Sequence, residues 1–99
     1  MNGGYLYILS NKNRTVLYIG VALDIKERTW EHKSKIRKGF AAKYNCFYLM
    51  YYQSYFDMDE AMAWEKRIKR WKREWKINLI KKMNPEMIDL AKDWYDQNE

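Results

Sequence analysis

The pattern of hydrophobic and polar positions divides the chain into elements before composition is considered. Tyr5-Leu6-Tyr7-Ile8-Leu9 and Thr15-Val16-Leu17-Tyr18-Ile19 are β-branched or aromatic runs of strand length. The polar Ser10-Asn11-Lys12-Asn13-Arg14 between them is rich in turn formers, so the pair reads as an antiparallel hairpin. A period of two places Tyr5 and Tyr7 on one face of the first strand, and Val16 and Tyr18 on one face of the second. Gly20 ends that strand. Asp24, with Glu27 three residues on, has capping-box spacing and predicts a helix to about Lys38, before Gly39. At ~100° per residue this helix gathers Ile25, Thr29 and Ile36 in one stripe, with Arg28 and His32 along its border.

Phe47-Tyr48-Leu49-Met50-Tyr51-Tyr52 predicts a third strand, apolar enough to be central. Asp57 caps a second helix, with Glu60 in its first turn. Ala61, Trp64, Ile68, Trp71 and Trp75 trace its apolar stripe, and Glu65 lies within or beside that stripe. A break is expected near Trp71–Arg73, where the pattern re-phases toward Leu79, Ile80 and Met83. Asn84-Pro85 reads as the cap and first position of a last helix over about 85–96, with Met87, Ile88, Ala91, Trp94 and Tyr95 on one face. The order is β-β-α-β-α-α-α, without repeat or linker. Helices packing on strands that come early give an α+β domain.

Composition narrows the class. A chain of 99 residues makes one domain, 1–99, and not two. At 47% hydrophobic it is too apolar for a disordered chain, and at 32% charged too polar for a membrane protein. No apolar run approaches the ~18 residues of a membrane-spanning helix. Met1-Asn2-Gly3-Gly4 has no signal-peptide character, so a cytoplasmic address and no membrane partner are expected. Cys46 and His32 are the only residues of their types, which excludes an intrachain disulfide, a cysteine zinc site and a multi-histidine metal site. The glycines are too scattered for a phosphate-cradling loop.

Charge adds a direction. The net charge is +6, and between Lys66 and Lys82 nine Lys/Arg face one acid, Glu74. From Glu86 to Glu99 the sign reverses, with five acids against Lys92. A concentrated basic surface is the footprint of a polyanion binder, and it is also what a solvated helix face looks like.

Each candidate for chemistry has two readings. Glu65, a carboxylate in an Ala/Trp/Ile stripe, needs a partner, either a structural Lys or Arg or a divalent metal. Arg28 and His32 either edge a buried face or steady phosphoryl charge and move a proton. Tyr7 and Tyr18 are packing residues, or phenols that orient or deprotonate a water in an electropositive setting. Asn84 is a helix cap first.

Taken in order, these residues carry a resemblance. Tyr5-Leu6-Tyr7, then Tyr18-Ile19-Gly20 eleven residues after Tyr7, then Arg28-Thr29-Trp30-Glu31-His32, then Glu65 and Asn84, resemble the GIY-YIG nuclease family in its small stand-alone form. The resemblance spans about 4–84, with the helix of about 85–96 outside that core. It implies a three-stranded antiparallel sheet flanked by helices. It also implies metal-dependent phosphodiester hydrolysis. Tyr7 becomes a candidate general base and Tyr18 a residue that positions water or phosphate. Arg28 would stabilise the pentacovalent phosphorus, and His32 would assist in phosphate contact or proton transfer. Glu65 would be the sole protein ligand of one Mg²⁺ or Mn²⁺. Gly20 and Asn84 would support the geometry. Val21 stands where some relatives carry a polar or basic residue.

The expected function is a metal-dependent endonuclease acting on DNA with low intrinsic sequence specificity, in DNA repair or recombination. Phosphate contacts are expected from Lys33, Lys35, Lys43, Lys66 and Lys69. The alternative is a non-catalytic nucleic-acid-binding module that keeps the nuclease fold. No separate DNA-targeting domain is expected, so targeting would fall to a protein partner.

Overall fold

The computed structural model describes residues 3–95. Its elements are β1 (Gly4–Ser10), β2 (Leu17–Ala22), α1 (Ile25–Lys33), α2 (Phe40–Lys43), β3 (Tyr48–Tyr55), α3 (Met58–Lys69) and α4 (Arg73–Met83). The strands form one antiparallel sheet in the order β2-β1-β3. The class is α+β, a three-stranded antiparallel sheet flanked by helices.

β1 is central because its run from Leu6 to Ser10 is buried without interruption, which requires cover on both faces. Tyr7 and Leu9 point to one face and join Ala22, Ile25, Ala41, Cys46, Leu49 and Ala91. Leu6 and Ile8 point to the other and join Ile19, Met50, Tyr51, Ile68 and Ile80, beneath α3 and α4. The register passes from Ile8↔Tyr51 to Leu9↔Leu49 and skips Met50. That bulge explains how the consecutive Met50 and Tyr51 both serve the same core.

Several expectations change. The third strand is an edge strand, not a central one. It is apolar because residues beyond α4 cover its outer side: Leu90 N–H donates to the Leu49 carbonyl at 2.8 Å, and Leu49 N–H to the Asp89 carboxylate at 3.0 Å. The first helix starts as expected, with Asp24 accepting from Glu27 N–H at 3.0 Å, but stops at Lys33 instead of Lys38. Lys35 takes a left-handed conformation (φ 61°), while its N–H and that of Ile36 reach back to the His32 and Glu31 carbonyls at 3.1 and 3.2 Å. Ile36 is consequently exposed, outside the stripe expected to hold it. The four-residue helix α2 was not foreseen.

The helix expected over 85–96 is absent over its described residues, 85–95, which form turns. The order is therefore β-β-α-α-β-α-α. Side chains there take up the backbone groups that a helix would need. Asn84 accepts from Ile88 N–H at 3.1 Å and donates to the Met50 and Ile88 carbonyls, so it closes a loop after α4 instead of opening a helix. Met87 has φ 51°, outside the helical region. The break between α3 and α4, at 70–72, falls where the pattern placed it.

Candidate active site

Four of the expected site residues meet on the β1–β2–α1 side of the sheet. Tyr7 on β1 is 1% exposed, and its ring lies 6.2 Å from Tyr18 on β2 and 5.8 Å from His32 on α1. Tyr18 and His32 are 5.7 Å apart, edge to face. Period two aligns the phenols, and one helical turn aligns Arg28 with His32.

The hydrogen bonds have a direction. Arg28 Nη1 donates to the Tyr7 hydroxyl at 3.4 Å and to the Val21 carbonyl at 2.9 Å. A guanidinium only donates, so the phenol accepts from Arg28, and the acceptor within reach of its own proton is His32 Nε2, 3.1 Å away. With the phenol as donor, His32 carries its proton on Nδ1. Gly20 pairs with Tyr7 across the strands. A Cβ there would stand 2.6 Å from the phenol oxygen and 3.1 Å from Tyr18, so this close packing of rings requires glycine.

Burial sets the protonation states. It pushes Tyr7 up to about 12, with the Arg28 hydrogen bond working against the shift. It pushes His32 down to about 4, helped by Arg37 and Arg28, so the imidazole is neutral at pH 7. Arg28 is itself partly desolvated, yet its bond to Tyr7 and the neighbouring Tyr7, Glu31 and Tyr18 raise it.

Two residues at this site escaped the sequence reading. Glu31 bridges Arg28 (3.3 Å) and Arg37 (3.2 Å). Its spacing from Arg28 was a usable signal. Arg37 was hidden inside an expected helix, and only the turn at Lys35 brings it back. A cleft of about 420 Å³ opens here, lined by Arg28 and Arg37, by the acids Asp24, Glu27 and Glu31, and by apolar residues including Val21 and Met58 of α3. A second cation, Arg37, thus stands near Arg28, joined to it through Glu31, although Val21 occupies the position where some relatives carry a polar or basic residue.

Glu65 and Asn84 are not in this contact set. Glu65 sits on α3, which packs on β1 and β2 with Ile68 in the opposite core. Its side chain is 19% exposed and pairs with Lys69 at 3.2 Å. Among the described residues no three His, Cys, Asp or Glu side chains converge as a metal cage. With one carboxylate, paired to a half-exposed Lys69, a divalent cation at Glu65 would have to take water and phosphate as its other ligands. Asn84, 3% exposed, ties α4 to β3.

Of the expected phosphate-binding lysines, Lys35, Lys43, Lys66 and Lys69 are exposed. Lys33 is a correction. Its ammonium donates to Asp89 at 2.5 Å and to the Phe47 carbonyl at 2.9 Å, so its charge is committed inside the fold.

The profile of a family described as the GIY-YIG catalytic domain matches residues 3–78, which include every expected site residue except Asn84. The solution NMR structure of a UPF0213 protein from Bacillus halodurans is similar to this chain. Identity is 26%, coverage 85% of this chain and 88% of that one, and the TM-score 0.55. No curated protein matches.

Proposed function

The chain belongs to the GIY-YIG nuclease family, and from that premise we propose that it is a metal-dependent endonuclease hydrolysing phosphodiester bonds of DNA with low intrinsic sequence specificity. The observation that carries this reading is the meeting of Tyr7, Tyr18, Arg28 and His32 beside a cleft bearing two arginines.

In this reading Arg28, held by Val21 and Glu31, presents its guanidinium to the phosphoryl oxygens as charge develops on them. Burial divides the two phenols. Tyr7 is sealed and rests protonated, so its work is to hold Arg28 and His32 in register. Tyr18 is half-buried, and is the phenol placed to orient water or phosphate. His32, uncharged at neutral pH, accepts from Tyr7 and has the capacity to take a proton during the reaction. Gly20 keeps the space that this ring packing needs. Asn84 acts at a distance, through the seat of α4.

Nucleases of this family generally use a divalent metal. Glu65 would hold Mg²⁺ or Mn²⁺, exchanging Lys69 for the ion. The cation, when bound, supplies charge neutralisation at the phosphate. Lys35, Lys43, Lys66 and Lys69 supply sequence-independent phosphate contacts.

The test is cleavage of linear, supercoiled and branched DNA, and of RNA, with Mg²⁺ or Mn²⁺. Nicking that EDTA stops is expected. Glu65→Ala should abolish it, and Arg28→Ala should lower it by roughly 10²–10³-fold. Equal cutting by the wild type and Glu65→Ala would overturn the metal assignment. The ion pair of Glu65 with Lys69 favours one second reading, a nucleic-acid-binding module without turnover. That module would bind in a salt-sensitive way and cut under no divalent metal.

A further inference from the structure

Between Glu31 and Asp57 the chain carries five basic residues and no acid. The same stretch holds aromatic rings that the core does not use. In α2 it is Ala41, 5% exposed, that fills the core, while Phe40 and, just past the helix end, Tyr44 stay 51% and 42% exposed. They are nonetheless ordered against the site. Phe40 stacks on Tyr18, with centroids 6.1 Å apart and planes inclined by 23°. Tyr44 follows at 4.7 Å from Phe40, and Lys43 Nζ lies 5.5 Å from the centre of the Tyr44 ring. Gly39, at φ 117°, makes the turn that leads into Phe40. A ladder of rings therefore climbs from the candidate active site to the surface, inside a stretch whose charge complements phosphate.

We propose that Phe40 and Tyr44 form a stacking platform for an unpaired nucleobase next to the phosphate held at Tyr18 and Arg28. Aromatic faces flanked by cations bind single strands, because every unpaired base offers a π-face and every linkage a negative charge. A continuous duplex keeps its base faces stacked on each other, so the platform gives the domain a preference for unpaired segments. The inference rests on the nucleic-acid reading of the site given above. DNA and RNA share the base face, and both are arms of the test.

The experiment measures binding by the full chain in EDTA, so that turnover plays no part. Single-stranded DNA, single-stranded RNA and duplex DNA of one sequence are compared, each single strand also carrying 2-aminopurine. The wild type should prefer either single strand to duplex and quench 2-aminopurine by stacking. Phe40→Ala and Phe40→Leu should each lower single-strand affinity by roughly 5- to 150-fold, the range for losing one stacked base. Leucine keeps an apolar side chain of similar bulk, so its loss of binding reports the missing ring and not a missing fold. Phe40→Trp should retain both preference and quenching. Phe56→Ala, at the most exposed large hydrophobic side chain among the described residues, should leave the preference intact. Wild-type preference and quenching in Phe40→Leu would overturn the platform, as would failure to bind any nucleic acid. If the chain binds single strands through Phe40 but cuts nothing, the platform stands and the nuclease reading falls. If it cuts without dependence on Phe40, the reverse holds.

Discussion

Gly20 illustrates how one residue is decided by its neighbours and not by its own backbone. Its replacement by alanine would put a methyl 2.6 Å from the Tyr7 oxygen and 2.7 Å from the ring carbon bearing it. Tyr7 is fixed by Arg28 and His32, so it yields only by breaking those bonds. Gly20→Ala should therefore cost about 1–3 kcal/mol in thermal or chemical unfolding, as overpacking does. Cleavage should fall further than stability does. His32 supplies a pH dependence. Its folded value of about 4 lies below the ordinary 6.5, so the unfolded chain binds a proton that the fold refuses. Stability from this source is complete above about pH 6.5 and declines as pH falls toward 4. The midpoint of thermal unfolding should drop between about pH 7 and pH 5, above the ordinary carboxylate range. His32→Gln should flatten that part of the curve. An unchanged slope would show that His32 does not control it. At this scale it is the cluster of the site's side chains, and not their role, that was legible in the sequence. Tyr7, Tyr18, Arg28 and His32 follow one another at strand and helix spacing. The Glu31–Arg37 contact was not legible, because it exists only once the chain turns back at Lys35.

Among the elements, the well-read ones have local causes. The first strand, the caps Asp24 and Asp57, and the break after Lys69 each come from a few adjacent residues, whereas β2 starts two residues later than its pattern and runs through Gly20 to Ala22 instead of ending there. The misread ones depend on distant partners or on unfavoured geometry. The turns over 85–95 keep a helical spacing of Met87, Ile88, Ala91 and Trp94, but Asn84 and Asp89 bond backbone groups of β3, far away in sequence. Helix α1 ends with lysine in a left-handed conformation that glycine adopts more readily, and nothing in the composition announces it. Lys35→Gly should accordingly stabilise the protein by up to about 1 kcal/mol, since a side chain in that region is costly. Denaturant midpoints of the two proteins would measure this. A loss of stability would mean that Lys35, whose ammonium lies 5.3 Å from the centre of the Phe47 ring, contributes more by that contact than its backbone costs.

For the whole molecule the question is which charges act outward. A net charge of +6 does not answer it, because several basic side chains are already paired within the fold, Lys33 among them. Lys33 joins α1 to the segment after α4 through Asp89, whose other oxygen accepts from Leu49 and Ala91 N–H. Removing Asp89 would strand a partly buried ammonium and two backbone donors together. Asp89→Ala should therefore cost about 2–4 kcal/mol, near the range for breaking such a pair. For a domain of this size that lowers the melting point by at least about 8 °C. Lys66 contrasts with Lys33, being exposed on a helix face among Arg67, Lys69 and Arg70. Binding to a duplex loses affinity with salt in proportion to the phosphates neutralised, by about 0.9 in logarithmic slope for each. Lys66→Ala should reduce that slope by close to one contact, whatever the sequence bound. Lys33→Met should leave the slope unchanged and show itself as lost stability. Equal changes of slope in the two variants would mean that Lys33 leaves Asp89 for a phosphate on binding. The C-terminal segment would then be a part of the protein that nucleic acid releases.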